Sequence, residues 1–465
     1  MSAPLDHPLR WRMWCLWWIT HSLVGGTGRV IFDLSFPFIE APDAISGLLA
    51  IGTAATILGK VVSGPLCSTL GAFKIGLAAL FGSAILLVGV GLGSSSPLLP
   101  LTLAWPLFRC LQTITWPSAN SVCVAWFRTP EHGAAWGMMS TASRTGIILA
   151  TSVVTISALD LSSRACFLST GCAMAIFGLV MANAFRAHPP PRAAPSTSGS
   201  SSPDSMLGGA ATSVGSAATG STAASGGGGS LQAQVKVAAR NPILWLAVLS
   251  QATATPIAEF QSVLPLLLKA DATLDSSAVA AGVTCWHLGI LVSVIACGML
   301  LDRMQTMGQR LLLVPLTAVT AALFFSAAAA GTGADSPLFA GSAKLPLGFA
   351  LGASAAPAIY LVAATTVTRH ASGTLAPTLS SICDMAGYSG TVLVLLVGAG
   401  DEGVAGPRML RAIGACACCN IGFVSVLYLL EARQERRRGS VKVDGLADPL
   451  LVQSAHAYVG MRASG

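Results

Sequence analysis

Twelve runs of apolar residues follow one another along the chain, each long enough to cross a hydrocarbon layer as a helix. A layer of about 30 Å needs roughly 20 helical residues. The runs cover approximately 11–39, 45–67, 74–94, 97–125, 132–158 and 165–186, then 241–269, 276–300, 309–331, 343–367, 374–400 and 406–431. Backbone N–H and C=O groups in lipid must pair within their own segment, so each run is predicted to be a helix; a barrel would show short alternating strands instead. Only 10% of the residues are charged and the mean hydropathy is +0.70, too few charges to cover a water-facing surface. The expectation is an all-α membrane protein with 12 transmembrane helices and the lipid bilayer as its first partner.

Basic residues give the orientation. With the N-terminus in the cytoplasm, 17 of the 26 lysines and arginines fall on cytoplasmic segments, 5 on the opposite side and 4 inside helices. That bias predicts both termini in the cytoplasm. The net charge of +7 then reflects topology and gives no reason to expect nucleic acid as a partner. No cleavable signal peptide is evident, since the first apolar run is too long for a signal core. Trp11, Trp14, Trp17 and Trp18 are expected at the cytoplasmic headgroup level.

Between the sixth and seventh runs the composition changes to the Pro-, Ser- and Gly-rich stretch 187–240, read as a disordered cytoplasmic linker. It separates an N-terminal six-helix bundle (1–186) from a C-terminal one (241–431). A disordered tail, 432–465, begins near "RQERRR", a basic stop next to the last helix with lipid headgroups within reach. The halves share a pattern: "GPLCSTLGAFK" (64–74) after the second run and "GMLLDRMQTMGQR" (298–310) after the eighth. Repeated halves with a site between them are a recurring transporter design.

With these residues in view, the chain resembles the major facilitator superfamily. The loop 298–310, with Gly298, Asp302 and Arg303, is similar to the superfamily's loop signature, and "RCLQ" (Arg109 to Gln112) is similar to its fourth-helix arginine motif. The resemblance implies two pseudo-symmetric six-helix bundles, a monomer, and transport by alternating access. A narrower resemblance is to the organophosphate:phosphate antiporter branch, which carries glycerol-3-phosphate and hexose-6-phosphate. It rests on "RVIFDLSFPFIE", "GKVVSG" (59–64), the stretch 111–137 and "GYSG" (387–390). It implies phosphate-binding roles for Arg29 and Lys60 and a cavity position for Tyr388. The chain departs from that branch where its seventh helix would carry a second arginine: Ile257 stands there, with Glu259 the nearest charge. Ser143, followed by Arg144, replaces the fifth-helix histidine, and His287 replaces an eighth-helix carboxylate.

Physical chemistry independently singles out Arg29. It precedes Glu40 by 11 residues, so it sits roughly 16 Å from the outer end of its helix. An arginine at that depth costs about 3 kcal/mol on insertion scales, so it is expected to face a watery cavity or a partner. Asp33 lies one turn on and shares its helix face. Two readings stay open: an ion pair that pins the helix, or a guanidinium gripping an anion while Asp33 holds it or titrates against it. Lys60, Arg144 and Tyr388 are further candidate substrate contacts, weighed respectively against snorkelling, ion pairing and ordinary packing, and Ser143 joins them from the family position that it occupies. Arg109 and Gln112 are read as mainly architectural or as a proton relay.

The mid-helix cations all belong to the first half, whereas the second contributes Glu259, Asp384 and the titratable His287. Two mechanisms fit this division. A zwitterion could place its anion on Arg29 and Lys60 and its cation near Glu259 or Asp384. Alternatively, Asp33, Glu259, His287 or Asp384 carries a proton alongside an anion, with phosphate as the other candidate coupling ion. The function expected is therefore secondary transport of a small anionic or zwitterionic organic solute. The alternative is a transporter-derived sensor that binds a solute without flux. An enzyme is not expected, because there is no nucleophile–base constellation or phosphate-cradling loop. No cofactor or metal site is expected either: Cys416, Cys418 and Cys419 have no histidine or carboxylate neighbours in sequence and read as packing residues.

Overall fold

A computed structural model describes residues 9–36, 42–93, 98–127, 132–157, 163–184, 240–269, 276–304, 310–330, 344–360, 366, 375–398 and 406–445. Helices account for nearly all of them, and no strand occurs among the described residues. They form twelve spans. The first, α1, is composite: Leu9–His21, a widened π-helical stretch Ser22–Gly28, and Arg29–Ser35. It is followed by α2 (Pro42–Leu66), α3 (Ala72–Leu92), α4 (Leu98–Trp126), α5 (His132–Ser157) and α6 (Ser163–Ala184). The second half comprises α7 (Pro242–Lys269), α8 (Ser276–Arg303), α9 (Val314–Ala330), α10 (Lys344–Tyr360), α11 (Leu375–Gly398) and α12 (Pro407–Gly445). Among the described residues, seven helices are long and apolar enough by themselves to cross a membrane. The helices α1, α4 and α5, which hold Arg29, Arg109 and Arg144, are not among those seven.

Helix pairing reveals the internal symmetry. In the first half α2 packs on α4, α3 on α6, and α1 on α5; in the second α8 packs on α10, α9 on α12, and α7 on α11. Each pair maps onto its counterpart by adding six to the helix number. The two main contacts between halves, α5 with α8 and α2 with α11, map onto each other in the same way. The architecture is thus two pseudo-symmetric six-helix bundles, the major facilitator fold.

Glycine makes the seams within a bundle tight. A Cβ on Gly146 of α5 would stand 2.1 Å from the Ser22 carbonyl oxygen of α1, and one on Gly352 of α10 would stand 2.1 Å from the Trp286 carbonyl oxygen of α8. Pro256 adds a related device in α7. It removes the donor that the Ala252 carbonyl would otherwise meet, and that carbonyl lies against Gly390 of α11. Between α2 and α3 the chain turns sharply at Gly71, whose φ of 88° is open mainly to glycine.

Aromatic clusters hold the two central helices to their own bundles. Phe32 of α1 meets Trp105, Phe108 and Phe167 with ring centroids 5.0–5.3 Å apart. Phe260 of α7 meets Trp286 at 5.3 Å and Phe324 at 4.9 Å. Anchored on one side, α1 and α7 present their charged residues to each other.

Of the four early tryptophans only Trp11 is exposed; Trp14 and Trp17 are buried, and the Trp14 and Trp18 indoles donate to the Ala135 carbonyl and the Thr141 hydroxyl of α5. One expectation needs correction. The last helix does not stop near 431 but continues to Gly445, because "RQERRR" consists of good helix formers. The linker, apart from Arg240, and residues 446–465 lie outside the described residues.

Candidate functional site

The widened stretch of α1 prepares the site. A π-type turn adds a residue and turns the following residues to a new angle, and such turns recur at functional positions. Here side chains take up its loosened backbone and neighbouring groups. Gln112 Nε2 donates to the Gly25 carbonyl at 3.1 Å, and the Thr27 and Ser22 hydroxyls donate to the carbonyls of Gly146 and Ala142 at 3.1 and 2.8 Å. Arg29 follows immediately, aimed at α7.

Arg29 is buried, with 5% of its surface exposed. Its guanidinium forms a fork on Glu259, with NH1 to Oε1 at 3.1 Å and NH2 to Oε2 at 2.6 Å. NH2 also donates to the Ser262 hydroxyl at 2.9 Å, and Nε lies 3.4 Å from Asp33 Oδ2. Glu259 is shared: Arg109 NH2 donates to the same Oε2 at 3.1 Å, while Arg109 NH1 donates to Gln112 Oε1 at 3.1 Å. The Arg109 guanidinium carbon also lies 5.3 Å from the Trp105 ring centroid and 5.8 Å from that of Tyr388, within cation–π range.

Two further contacts flank this centre. Lys60 Nζ of α2 lies 2.6 Å from Asp384 Oδ2 of α11. Arg144 of α5 donates to Gln261 Oε1 of α7, and its NH1 lies 3.1 Å from His287 Nδ1 of α8. The first half therefore supplies the cations and the second the acceptors. Buried charges persist when they are paired and hydrogen-bonded, and these pairs bridge α1 to α7, α2 to α11 and α5 to α8.

The sequence alone has Arg29 looking onto a wet cavity or a partner, and of these the structure supplies the partner. Arg29 is enclosed by Glu259, Asp33 and Ser262. A cavity of about 20 Å³, room for about one water molecule, borders Arg109, Glu259 and Ser262 and does not touch Arg29. Every residue of α7 from Ala254 to Leu268 is buried, so the bundles are closed around α7 at the end away from the chain termini.

The remaining candidates are scattered. Ser143 is half-buried, and its backbone carbonyl faces Gly26 of α1. Gly298, Asp302 and Arg303 end α8, with side chains outside the described set. Sequence reasoning missed Ser262 and Gln261. Ser262 was findable, being three residues after Glu259 and hence on the same helix face. His21 was missed as well: it lies 3.0 Å from the Thr115 hydroxyl and tilts against Trp116. Among the described residues no group of His, Cys, Asp or Glu has the arrangement of a metal site.

Two pseudo-symmetric six-helix bundles that meet through buried polar side chains form the architecture of a membrane carrier. The profile of the Major Facilitator Superfamily matches residues 20–395; the chain belongs to that superfamily, as a multi-pass integral membrane protein and secondary transporter. Comparison with curated proteins gives no match. Among solved structures the fold is similar to that of the nucleoside transporter NupG, crystallised as a mutant, with a TM-score of 0.57 and 13% identity over 91% of this chain and 98% of that one. That likeness concerns the fold alone.

Proposed function

We propose that the protein moves a small organic solute bearing a negative charge, either an anion or a zwitterion, through a site between the bundles, and that its own ion pairs hold the site closed until cargo replaces them. One observation carries this reading: Arg29, Lys60, Arg109 and Arg144 each meet an acceptor from the other half. Rocking of the bundles must break those contacts. A solute whose anion takes a guanidinium or ammonium, and whose cation takes Glu259 or Asp384, compensates both sides at once. When the cargo is a plain anion, a proton on the released carboxylate plays the second part, so Asp33, Glu259, His287 and Asp384 remain the coupling candidates. The termini face the cytoplasm and the monomer is the working unit.

Organophosphate:phosphate exchange is the narrower form of the same reading. Ile257 is fully buried, and Glu259 already neutralises Arg29, where two arginines would be needed to clamp a dianion. These features favour cargo of lower charge.

Counterflow into proteoliposomes tests the reading, with inorganic phosphate, sugar phosphates, carboxylates and amino acids, each with and without a pH gradient. Uptake of a carboxylate or amino acid, lost in Arg29→Ala and Glu259→Gln protein that still folds, is the expected result. Specific binding without counterflow would replace transport with sensing. Exchange driven by phosphate alone would restore the narrower activity.

A further inference from the structure

Two half-buried rings, His21 of α1 and Trp116 of α4, stand together with hydrogen-bonding atoms to spare. His21 precedes Arg29 by eight residues, and Trp116 follows Arg109 by seven and Gln112 by four. Seven and four residues are close to whole helical turns, so Trp116 shares the face of α4 that carries Arg109 and Gln112 and lies opposite the exposed Leu107. The ring centroids are 5.2 Å apart, with the planes tilted at 45°. Gly25 makes room for the imidazole: a Cβ there would stand 3.0 Å from its Cε1. The Thr115 hydroxyl gives its one proton to the Gln112 carbonyl at 2.8 Å, so its oxygen accepts from His21 Nδ1 at 3.0 Å. That leaves His21 Nε2 and Trp116 Nε1. Among the described residues neither has a hydrogen-bond partner, and neither is sealed away from open space. Lys60 of α2 and Arg144 of α5 are the charged side chains that act on the imidazole.

We propose that His21 and Trp116 form a subsite that recognises a hydroxyl group on the cargo, so that the solute is a hydroxylated organic anion. The inference rests on the transport reading above. An indole N–H can only donate. An imidazole that donates through Nδ1 accepts at Nε2 when neutral and donates there when charged. A hydroxyl both donates and accepts, so it answers either ring in either state. An ammonium group cannot accept the indole proton, a carboxylate has no proton for a neutral imidazole, and an alkyl chain offers neither. The rings share α1 and α4 with Arg29 and Arg109, and eight residues of α1 place His21 about 12 Å along the helix from Arg29. The charge of the cargo meets the cations while its hydroxyls reach the rings. A site built to bond a hydroxyl rejects the analogue that lacks it, because its own polar atoms are then left unpaired.

The test compares two six-carbon monoanions, gluconate with hydroxyls and hexanoate without. Thermal unfolding of the purified full-length protein is followed while the potassium salt of each replaces potassium chloride at constant ionic strength. Gluconate is expected to raise the melting temperature of the wild type saturably, with half its effect at a concentration about tenfold lower than hexanoate needs. Trp116→Phe keeps a ring against His21 and removes only the N–H. His21→Phe keeps a ring in the space beside Gly25 and removes both nitrogens. Each should raise the half-effect concentration of gluconate about fivefold and leave that of hexanoate unchanged, whereas a merely loosened structure would weaken both acids together. Trp116→Phe, the milder change, serves alone if His21→Phe does not fold. A wild type that responds to gluconate no more than to hexanoate or chloride, or a preference for gluconate that neither variant lowers, overturns the subsite. Counterflow is read separately, so transport of another anion or of a zwitterion with no preference for gluconate would remove only this inference.

Discussion

The seams inside each bundle and the seams between the bundles are built from different materials. Inside, glycines bring the helices close: backbone meets backbone where Gly26 and Gly146 join α1 to α5, Gly289 and Gly352 join α8 to α10 and Gly390 meets α7, while Gly52 and Gly59 of α2 make room for Trp105 and Thr113 of α4 and Gly387 of α11 for Thr255 of α7. Among the described glycines, each close approach to another helix stays within one bundle. Between the bundles apolar side chains meet in one shared core, and the polar contacts run from side chain to side chain: Arg29 and Arg109 on Glu259, Lys60 on Asp384, Arg144 on Gln261, and Thr284 on Thr151. A backbone seam has no second partner to offer, and close packing of small residues is what binds helices in lipid. A polar side chain can exchange one partner for another, and a buried ion pair is worth little net, since desolvation offsets most of its attraction. Under the transport reading proposed above, the first keeps each bundle intact and the second lets the two part.

Breaking the inner seam should have the largest effect. Gly146→Leu places a Cβ where 2.1 Å separates it from the Ser22 carbonyl oxygen, a clash that no rotamer relieves. The expected cost exceeds about 5 kcal/mol, read as loss of monodisperse folded protein in detergent. Recovery at the wild-type level with an unchanged melting temperature would mean that the inner seams are soft. Next comes Glu259→Ala, which strands two buried guanidinium groups and should cost about 3–5 kcal/mol. Its measure is thermal unfolding, with Glu259→Gln expected to lose less because it keeps an acceptor for Arg29.

How much of this contrast is legible in the sequence depends on chain separation. The spans are legible because apolar length is a local property, and α1 and α7 begin and end near where hydropathy puts them. Asp33 is legible as a neighbour of Arg29 because four residues is one helical turn. Glu259 is not legible as its main partner, since 230 residues separate the two and helix periodicity says nothing about another helix. Hydropathy and depth show that the guanidinium needs either water or a partner, and they stop short of saying which. The division of cations and acids between the halves does contain the answer in coarse form. What it lacks is the pairing of α1 with α7, α2 with α11 and α5 with α8, which depends on how the bundles dock. Gln261 carries no charge and so leaves no signal at all.

A smaller effect separates pair energy from burial cost. Lys60→Met and Asp384→Leu each strand one charge and should destabilise by about 1–3 kcal/mol, less than Glu259→Ala because a quarter of the Asp384 side chain, 26%, is exposed. The double variant strands nothing and should melt within a few degrees of the wild type. If the double variant is as unstable as the sum of the two, the pair acts as a structural clamp and α2 and α11 belong with the rigid seams.

The smallest effect is expected at Thr284, and it is the sharpest test of exchangeability. Its hydroxyl donates to Thr151 Oγ1 of α5 at 2.6 Å, across the divide between the bundles. The Ala280 carbonyl of its own helix is also within reach, at 2.9 Å. A hydroxyl has one proton, so it serves either the other bundle or its own helix. When α5 and α8 separate, the proton has somewhere to go, and Thr151 keeps its own bond to the Ile147 carbonyl at 2.9 Å. Thr284→Val should therefore cost only about 0.5–1.5 kcal/mol, because it leaves no buried donor without an acceptor. Its mark should appear in rates: with less holding α5 to α8, counterflow should quicken while the melting temperature barely moves. Thr284→Val protein that melts as low as Glu259→Ala would show that this contact has no fallback, and the outer seam would then be no freer to part than the inner one.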